Sequence, residues 1–320
     1  MLFGGTTLLA QCALLLKQRG AKVYVVTSPR HAEEKIKGTV LTEILRENDI
    51  PFEVSTDAPR DPKVIGRIKA GVLGVSIGAP WIFKKEFIDR FDGRLVNFHG
   101  TRLPQDRGGG AFSWIIMRGE RTGCALLHLL EPGIDRGDIV LKKEYLFPKD
   151  ATPRRCLEMS FREHEKLFVQ FVRRVEEGKS FKTIKQDESQ ATYWPRLSTD
   201  MHGFVDWNWN AREIVQFVRA FDEPYAGAST FVGEKRARLF GASQEKQGAF
   251  HPFQAGIVYR IHGGRIYVAA HGSGISFERV LIEDGSAVAL GDRLFTPLSY
   301  LEQAREFRAV YTASGIKKNT

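Results

Sequence analysis

Two rhythms of apolar positions alternate along the first half of this chain. Residues 1–4, 22–26, 50–54, 71–77 and 95–99 contain short, near-continuous hydrophobic runs of strand length. Between them, residues 6–20, 39–48 and 62–69 space their apolar side chains as helices do, with Val40, Leu41, Ile44 and Leu45 as the clearest set. Strands that alternate with helices predict an α/β fold with a mainly parallel sheet and right-handed crossovers. The first strand is short, so the natural start is expected upstream.

Further on, residues 124–130 and 138–146 read as strands, and residues 111–117 as a helix with Trp114 buried. A long amphipathic helix opens at Thr152-Pro153, where Thr caps and Pro suits the first turn. Leu157, Phe161, Leu167, Phe168, Phe171 and Val175 mark its apolar face, and Gly178 stops it. Residues 182–196 are polar and read as a linker. A helix over 211–221 follows, then short runs at 229–232, 237–240, 257–261, 265–269 and 277–282 with glycine turns between them. Short strands at such spacing predict a small β-barrel. The expected division is a catalytic domain over 1–181, a linker over 182–202 and a barrel domain over 203–320.

Composition adds limits. The 320 residues are 42% hydrophobic and 27% charged, which is globular and sufficient for two domains. Cys12, Cys124 and Cys156 lie far apart without metal-type spacing, so the expectation is a reducing, cytoplasmic setting with no disulfides and no metal. No apolar run is long enough to span a bilayer. The net charge is +9, but residues 201–320 carry 14 Lys+Arg against 12 Asp+Glu, so the basic excess sits in the first 200. A nearly neutral C-terminal third offers little to a phosphate backbone.

The chemistry-bearing residues cluster between 95 and 140. Asn97 and His99 are two apart at the end of an apolar run, so on a strand both face one side. An Asn amide can hold an oxygen as it becomes an oxyanion, and His moves protons near neutral pH. Asp135 lies in a glycine-flanked turn, where its carboxylate can orient His99 or relay a proton. This set suits acyl transfer to an amine; the plainer alternative is a polar strand end and a turn Asp. His128, alone in an apolar run, reads as a core residue. Parallel sheets bind ligands at the carboxyl ends of their strands, where residues 77–81 and 97–99 fall. Gly5 and Thr6 open the first helix and suit an anionic ligand. Arg107, beside Gly108 in a glycine-rich loop, is placed to pair an acidic substrate group or to brace the loop.

Four blocks appear here in order: Asn97-Phe98-His99, Leu103-Pro104-Gln105-Asp106-Arg107-Gly108, Gly119-Glu120-Arg121-Thr122-Gly123 and Asp135-Arg136-Gly137-Asp138. Together they resemble the signature of the folate-dependent formyltransferases. Asp206-Trp207 and Pro224 to Ala228 resemble marks of that family's C-terminal domain. The resemblance implies a Rossmann-like formyltransferase domain followed by an OB-like barrel, with Asn97, His99 and Asp135 catalytic. It implies 10-formyltetrahydrofolate as cosubstrate and no metal. Ile77, Gly78, Ala79 and Trp81, with Gly133, Ile134 and Asp138, would line the pterin pocket; Gly5, Thr6, Arg107 and Gly108 would meet the acceptor. The short segment 27–37 mixes His31, Glu33 and Glu34 with its bases, unlike the longer basic loop of the tRNA-acting members. The expected acceptor is therefore a nucleotide-linked amino sugar, with tRNA as the alternative. A non-catalytic folate- or nucleotide-binding protein is the second alternative, and a homodimer is the expected assembly if there is one.

Overall fold

The computed structural model describes residues 1–246 and 248–317; residues 318–320 of the expected barrel segment lie outside these. The first half is built on seven strands: β1 (Leu2–Gly4), β2 (Val25–Thr27), β3 (Phe52–Val54), β4 (Gly74–Ile77), β5 (Leu95–His99), β6 (Thr122–Leu129) and β7 (Ile139–Leu146). Their order across the sheet is β7-β6-β5-β4-β1-β2-β3. The strands β1 to β5 pair in parallel, while β6 runs antiparallel to β5 and β7 antiparallel to β6. The mainly parallel α/β architecture expected from the apolar pattern is present.

Helices cover both faces, which is why β1, β2 and β4 are buried throughout and read as unbroken apolar runs. One face packs Leu9, Ala13 and Leu45 with Leu167, Phe168 and Phe171 of the long helix Pro153–Glu176. On the other, Phe3 meets Phe83 and Phe87 edge-on, each at 5.7 Å between ring centres. The helix expected over 62–69 is only Pro62–Ile65. Beyond it the backbone tightens to three-residue bonds, Arg67 N–H to Val64 O and Ile68 N–H to Ile65 O.

The C-terminal part is β-rich. Its strands are β8 (Ala228–Val232), β9 (Lys235–Phe240), β10 (Ser243–Gln244), β11 (Val258–His262), β12 (Arg265–Ala270), β13 (Ser273–Phe277), β14 (Arg279–Ile282) and β15 (Leu294–Phe295). They form two antiparallel four-stranded sheets, ordered β14-β9-β8-β15 and β10-β13-β12-β11. The single strand expected over 277–282 is two strands, because the chain changes sheets at Glu278. Helix Leu298–Glu306 follows, without a strong signal in the sequence pattern.

One core joins the two parts. Ile115, Phe147 and Cys156 from the first lie in the same buried cluster as Trp207, Ile214, Val218 and Phe277 from the second. Helix Ala111–Met117 packs on helix Ala211–Ala220, and Ser113 Oγ donates to Ala220 O at 2.8 Å. This places the loop before Ala111 close to the C-terminal half.

Candidate active site

The strand β5 ends at the carboxyl edge of the sheet, and Asn97 and His99 project there from one face of it. The neighbouring β6 runs the other way, so each is matched across the ladder: Asn97 opposite His128, His99 opposite Leu126. The chain then turns through residues 130–138 before β7. In that turn Asp135 adopts a left-handed φ of 52°. Gly137 is required beside it, since a Cβ there would lie 1.8 Å from Leu129 O.

This brings Asn97, His99 and Asp135 together, as expected, and adds His128. Asp135 Oδ2 lies 3.7 Å from His99 Nδ1, and Oδ1 lies 3.6 Å from His128 Nε2. The Gly108 N–H donates to Asp135 Oδ2 at 2.9 Å. Burial alone would raise the Asp135 carboxyl, but positive charge on His99 and His128 when those rings are protonated, together with the Gly108 N–H, outweighs it and draws the group well below the usual carboxylate range. Asp135 is therefore a fixed negative charge between two rings.

The partners assign the tautomers. His99 Nε2 lies 2.9 Å from Asp106 O, which can only accept, so Nε2 carries the proton. Thr101 Oγ1 is 2.7 Å from the same nitrogen and donates to Asp106 O at 2.9 Å. The lone pair of neutral His99 is thus on Nδ1, facing Asp135. His128 Nδ1–H donates to Leu129 O at 2.7 Å, so its Nε2 accepts from Asn97 Nδ2 at 3.1 Å. One N–H of the Asn97 amide is held by His128, and among the described residues no acceptor is bonded to the other. Behind the site, His164 Nε2 lies 3.0 Å from His99 O.

His128 was hidden in the sequence by its apolar neighbours. Its signal is positional: it is the cross-strand partner of Asn97, which no local pattern reveals.

Three of the residues expected to meet the acceptor are bonded within the chain. The Arg107 guanidinium is buried and committed within the chain, to Gln186 Oε1 at 2.8 Å and Glu188 Oε1 at 2.7 Å. These bonds brace the loop. The Thr6 N–H at the start of helix Thr6–Gln18 takes the Glu34 carboxylate at 3.0 Å, and the Gly5 N–H takes Ile77 O at 3.1 Å. The chain's own acid fills the slot read as an anion site. Gly108 does meet the site, but through Asp135.

Of the residues expected around a pterin, the Ile77 side chain belongs to the core and Asp138 Oδ2 accepts from Thr183 Oγ1 at 3.1 Å. Trp81 packs beside the Phe3 cluster with its Nε1 donating to Thr56 O at 3.1 Å. Gly78 and Gly133 are exposed with positive φ, and Ile134 stays 49% exposed next to Asp135. Ile82, in the same loop as Gly78, is 80% exposed. Among the described residues no group of His, Cys, Asp and Glu is arranged to hold a metal ion.

Comparison with known proteins places the chain among relatives. The family pattern described as Formyl transferase matches residues 2–172, and that described as Formyl transferase, C-terminal domain, matches 198–294. Methionyl-tRNA formyltransferase of Fervidobacterium nodosum is 27% identical over 268 residues, covering 82% of this chain and 83% of that protein. Cytosolic 10-formyltetrahydrofolate dehydrogenase of Xenopus tropicalis is 28% identical over 242 residues, 71% of this chain and 26% of that protein. The present chain thus matches about a quarter of that dehydrogenase's length. Among solved structures, WlaRD, a sugar 3N-formyl transferase in the presence of dTDP and 5-N-formyl-THF, superimposes with a TM-score of 0.67 at 16% identity, covering 86% of this chain and 96% of its own. At that identity the likeness is one of fold.

Proposed function

This chain belongs to the formyl transferase family, and from that premise we propose that it moves a formyl group from 10-formyltetrahydrofolate to the amine of a nucleotide-linked amino sugar. The observation that carries the chemistry is the convergence of Asn97, His99 and Asp135 on one edge of the sheet. An amide donor, an imidazole with an open nitrogen and a fixed carboxylate are what amine formylation needs. Methionyl-tRNA formyltransferases and sugar N-formyltransferases among its relatives share the family reading.

In this mechanism the amine nitrogen attacks the formyl carbon. The free Asn97 N–H meets the formyl oxygen as negative charge builds on it. Nδ1 of His99 takes a proton from the attacking nitrogen, and the Asp135 carboxylate stabilises the resulting imidazolium. The bond from the formyl carbon to the folate nitrogen then breaks, and that nitrogen receives the proton through His99. A formamide and tetrahydrofolate result. Gly78, Ala79, Trp81, Gly133 and Ile134 are proposed to border the pterin, with backbone groups doing most of the contact. We assign residues 1–181 to catalysis, 182–202 to the connection and 203–320 to a supporting barrel-like part.

The acceptor assignment rests on charge and loop size. The segment after β2 is short, comprising the turn Pro29–Ala32 and the small hairpin Lys35–Ile36 with Thr39–Val40. The C-terminal third is nearly neutral. Both suit a small acceptor better than a polyanion. The tRNA reading keeps one support, the length over which the Fervidobacterium enzyme matches.

The test is formyl transfer from 10-formyltetrahydrofolate to a panel of nucleotide-linked amino sugars, with charged initiator tRNA as the competing acceptor. Turnover on a sugar with none on tRNA is the expected result. Turnover on tRNA alone, falling steeply with added salt, would replace the sugar with tRNA.

A further inference from the structure

Residues 182–194, polar enough to read as a connector, run back across the site as a strap. Ile184 exchanges both backbone hydrogen bonds with Ile139 at 2.9 Å, at the start of β7. Further along, Tyr193–Trp194 pairs in parallel with Arg107–Gly108. The fit there is close: a Cβ on Gly108 would lie 2.2 Å from Trp194 O. Between these two fixed points one side chain of the strap holds the backbone of the Asp135 turn.

That side chain is Gln186. Its Nε2 donates to Asp135 O at 2.8 Å and to Gly137 O at 2.7 Å. Its Oε1 accepts from Arg107 Nη2 at 2.8 Å and Nε at 3.2 Å. Both amide hydrogens and both oxygen lone pairs are therefore used. Arg107 is held in turn by Glu188 through Nη1 at 3.0 Å and Nη2 at 2.7 Å, and Glu188 also takes Arg136 Nη2 at 3.1 Å. The strap thus grips the Asp135 turn by two carbonyls, and it grips Gly108, whose N–H holds the Asp135 carboxylate.

We propose that Gln186 is a positioning residue that sets the aim of the Asp135 carboxylate at His99, with Arg107 and Glu188 as its anchor. The inference rests on reading Asp135 as part of the reaction. Its physical basis is leverage. Asp135 sits in a left-handed conformation, which is uncommon for a non-glycine residue. Tilting the peptide that follows Asp135 swings the carboxylate, and the gap to His99 Nδ1 is already 3.7 Å. A displacement near 1 Å at such a contact costs roughly 100-fold in rate.

The test compares Gln186→Leu, which keeps bulk and loses all four bonds, with Ser189→Ala in the same strap, whose side chain, among the described residues, bonds only to Asp187. Gln186→Leu is expected to lower kcat by roughly 10- to 100-fold, with the KM for the formyl donor nearly unchanged and the pH profile of kcat displaced. The imidazole 15N resonances of His99 in the ligand-free chain should move as well. Ser189→Ala should change none of these. Glu188→Gln, which loosens the anchor from the solvent side, should shift the resonances in the same direction by less, and it stands in if Gln186→Leu does not fold. Wild-type kcat, pH profile and His99 resonances in Gln186→Leu, or in Glu188→Gln if Gln186→Leu does not fold, would overturn the proposal. If the wild-type chain transfers no formyl group, the functional reading fails, while the His99 resonances still decide whether Gln186 positions the turn.

Discussion

Asn97 and His128 face each other as a direct cross-strand pair, and the Asn97 amide nitrogen lies 3.1 Å from His128 Nε2. His128 is fully buried, and its other nitrogen is tied to Leu129 O. The ring therefore acts as a fixed acceptor that sets the rotation of the Asn97 amide. Removing that acceptor lets the amide turn and leaves a buried donor unsatisfied. His128→Phe is expected to reduce kcat by roughly 10- to 100-fold, while His128→Gln, which can still accept, should keep more activity. Steady-state kinetics on both variants checks this; a fully active His128→Phe enzyme would refute it.

The three converging residues differ in what their loss should do. Asn97→Ala removes the oxygen-binding donor and should cost about 100- to 1,000-fold in kcat, as loss of one such donor does elsewhere. His99→Ala should lose at least as much, because both the open Nδ1 and the imidazolium disappear. Burial would raise the Asp135 carboxyl, but positive charge on His99 and His128 when those rings are protonated, and the Gly108 N–H, lower it well below the usual carboxylate range. It should stay charged at any pH where the fold persists, so no limb of the kcat profile above about pH 5 should belong to it. Asp135→Asn should depress kcat across the whole profile without removing a limb, and a limb that vanished in this variant would reassign the titrating group.

A second buried imidazole predicts a pH effect on stability instead of rate. His31 packs under Gly5, with Nδ1 facing Ser28 Oγ at 3.2 Å and Nε2 facing Arg30 Nη2 at 2.8 Å. Burial first, and then the Arg30 and Arg196 charges, push its pKa down to about 4. The folded state keeps His31 neutral, whereas the unfolded chain takes up a proton near the ordinary value of 6.5. Stability from this group is fully present above about pH 6.5 and is lost as pH falls toward 4. The expected loss is roughly 2 kcal/mol, because each tenfold change in proton affinity between the folded and unfolded chain is worth about 1.4 kcal/mol. Urea unfolding at about pH 7 and about pH 4.5 should show it, and the difference should shrink in His31→Gln.

The sequence carried the sheet because its inner strands are buried on both faces, and the near-continuous apolar runs say so. Asn97 and His99 were legible for the same reason: period-two spacing at a strand end fixes a common face. His128 was not, since its role depends on the register between β5 and β6, which arises only when the strands pair. Arg107 stayed ambiguous because an Arg in a glycine loop looks the same whether its partner is a substrate or Glu188, 81 residues away. Likewise the strap looks like a linker, because its hydrogen bonds are to distant backbone and leave no local pattern. The switch of sheets between Phe277 and Arg279 was hidden because apolar residues continue on both sides of it.

The shared core predicts how the molecule unfolds. Two independent domains would melt separately, each with its own interior. Here Ile214 and Val218 of one helix are fully buried in a cluster that includes Ile115, Phe147 and Cys156 from the other part. Neither part can lose its packing without exposing apolar surface of the other, so thermal unfolding should be a single transition. Ile214→Ala should cost about 2–5 kcal/mol and lower the midpoint of that one transition, as followed both by far-ultraviolet circular dichroism and by tryptophan fluorescence. Trp207 in the same cluster and Trp81 near the Phe3 cluster report on the two ends of the chain. Single-tryptophan variants at these two positions should therefore show coincident curves. Two separated midpoints, with only the Trp207 transition moved by Ile214→Ala, would show that the parts fold independently despite their common interior.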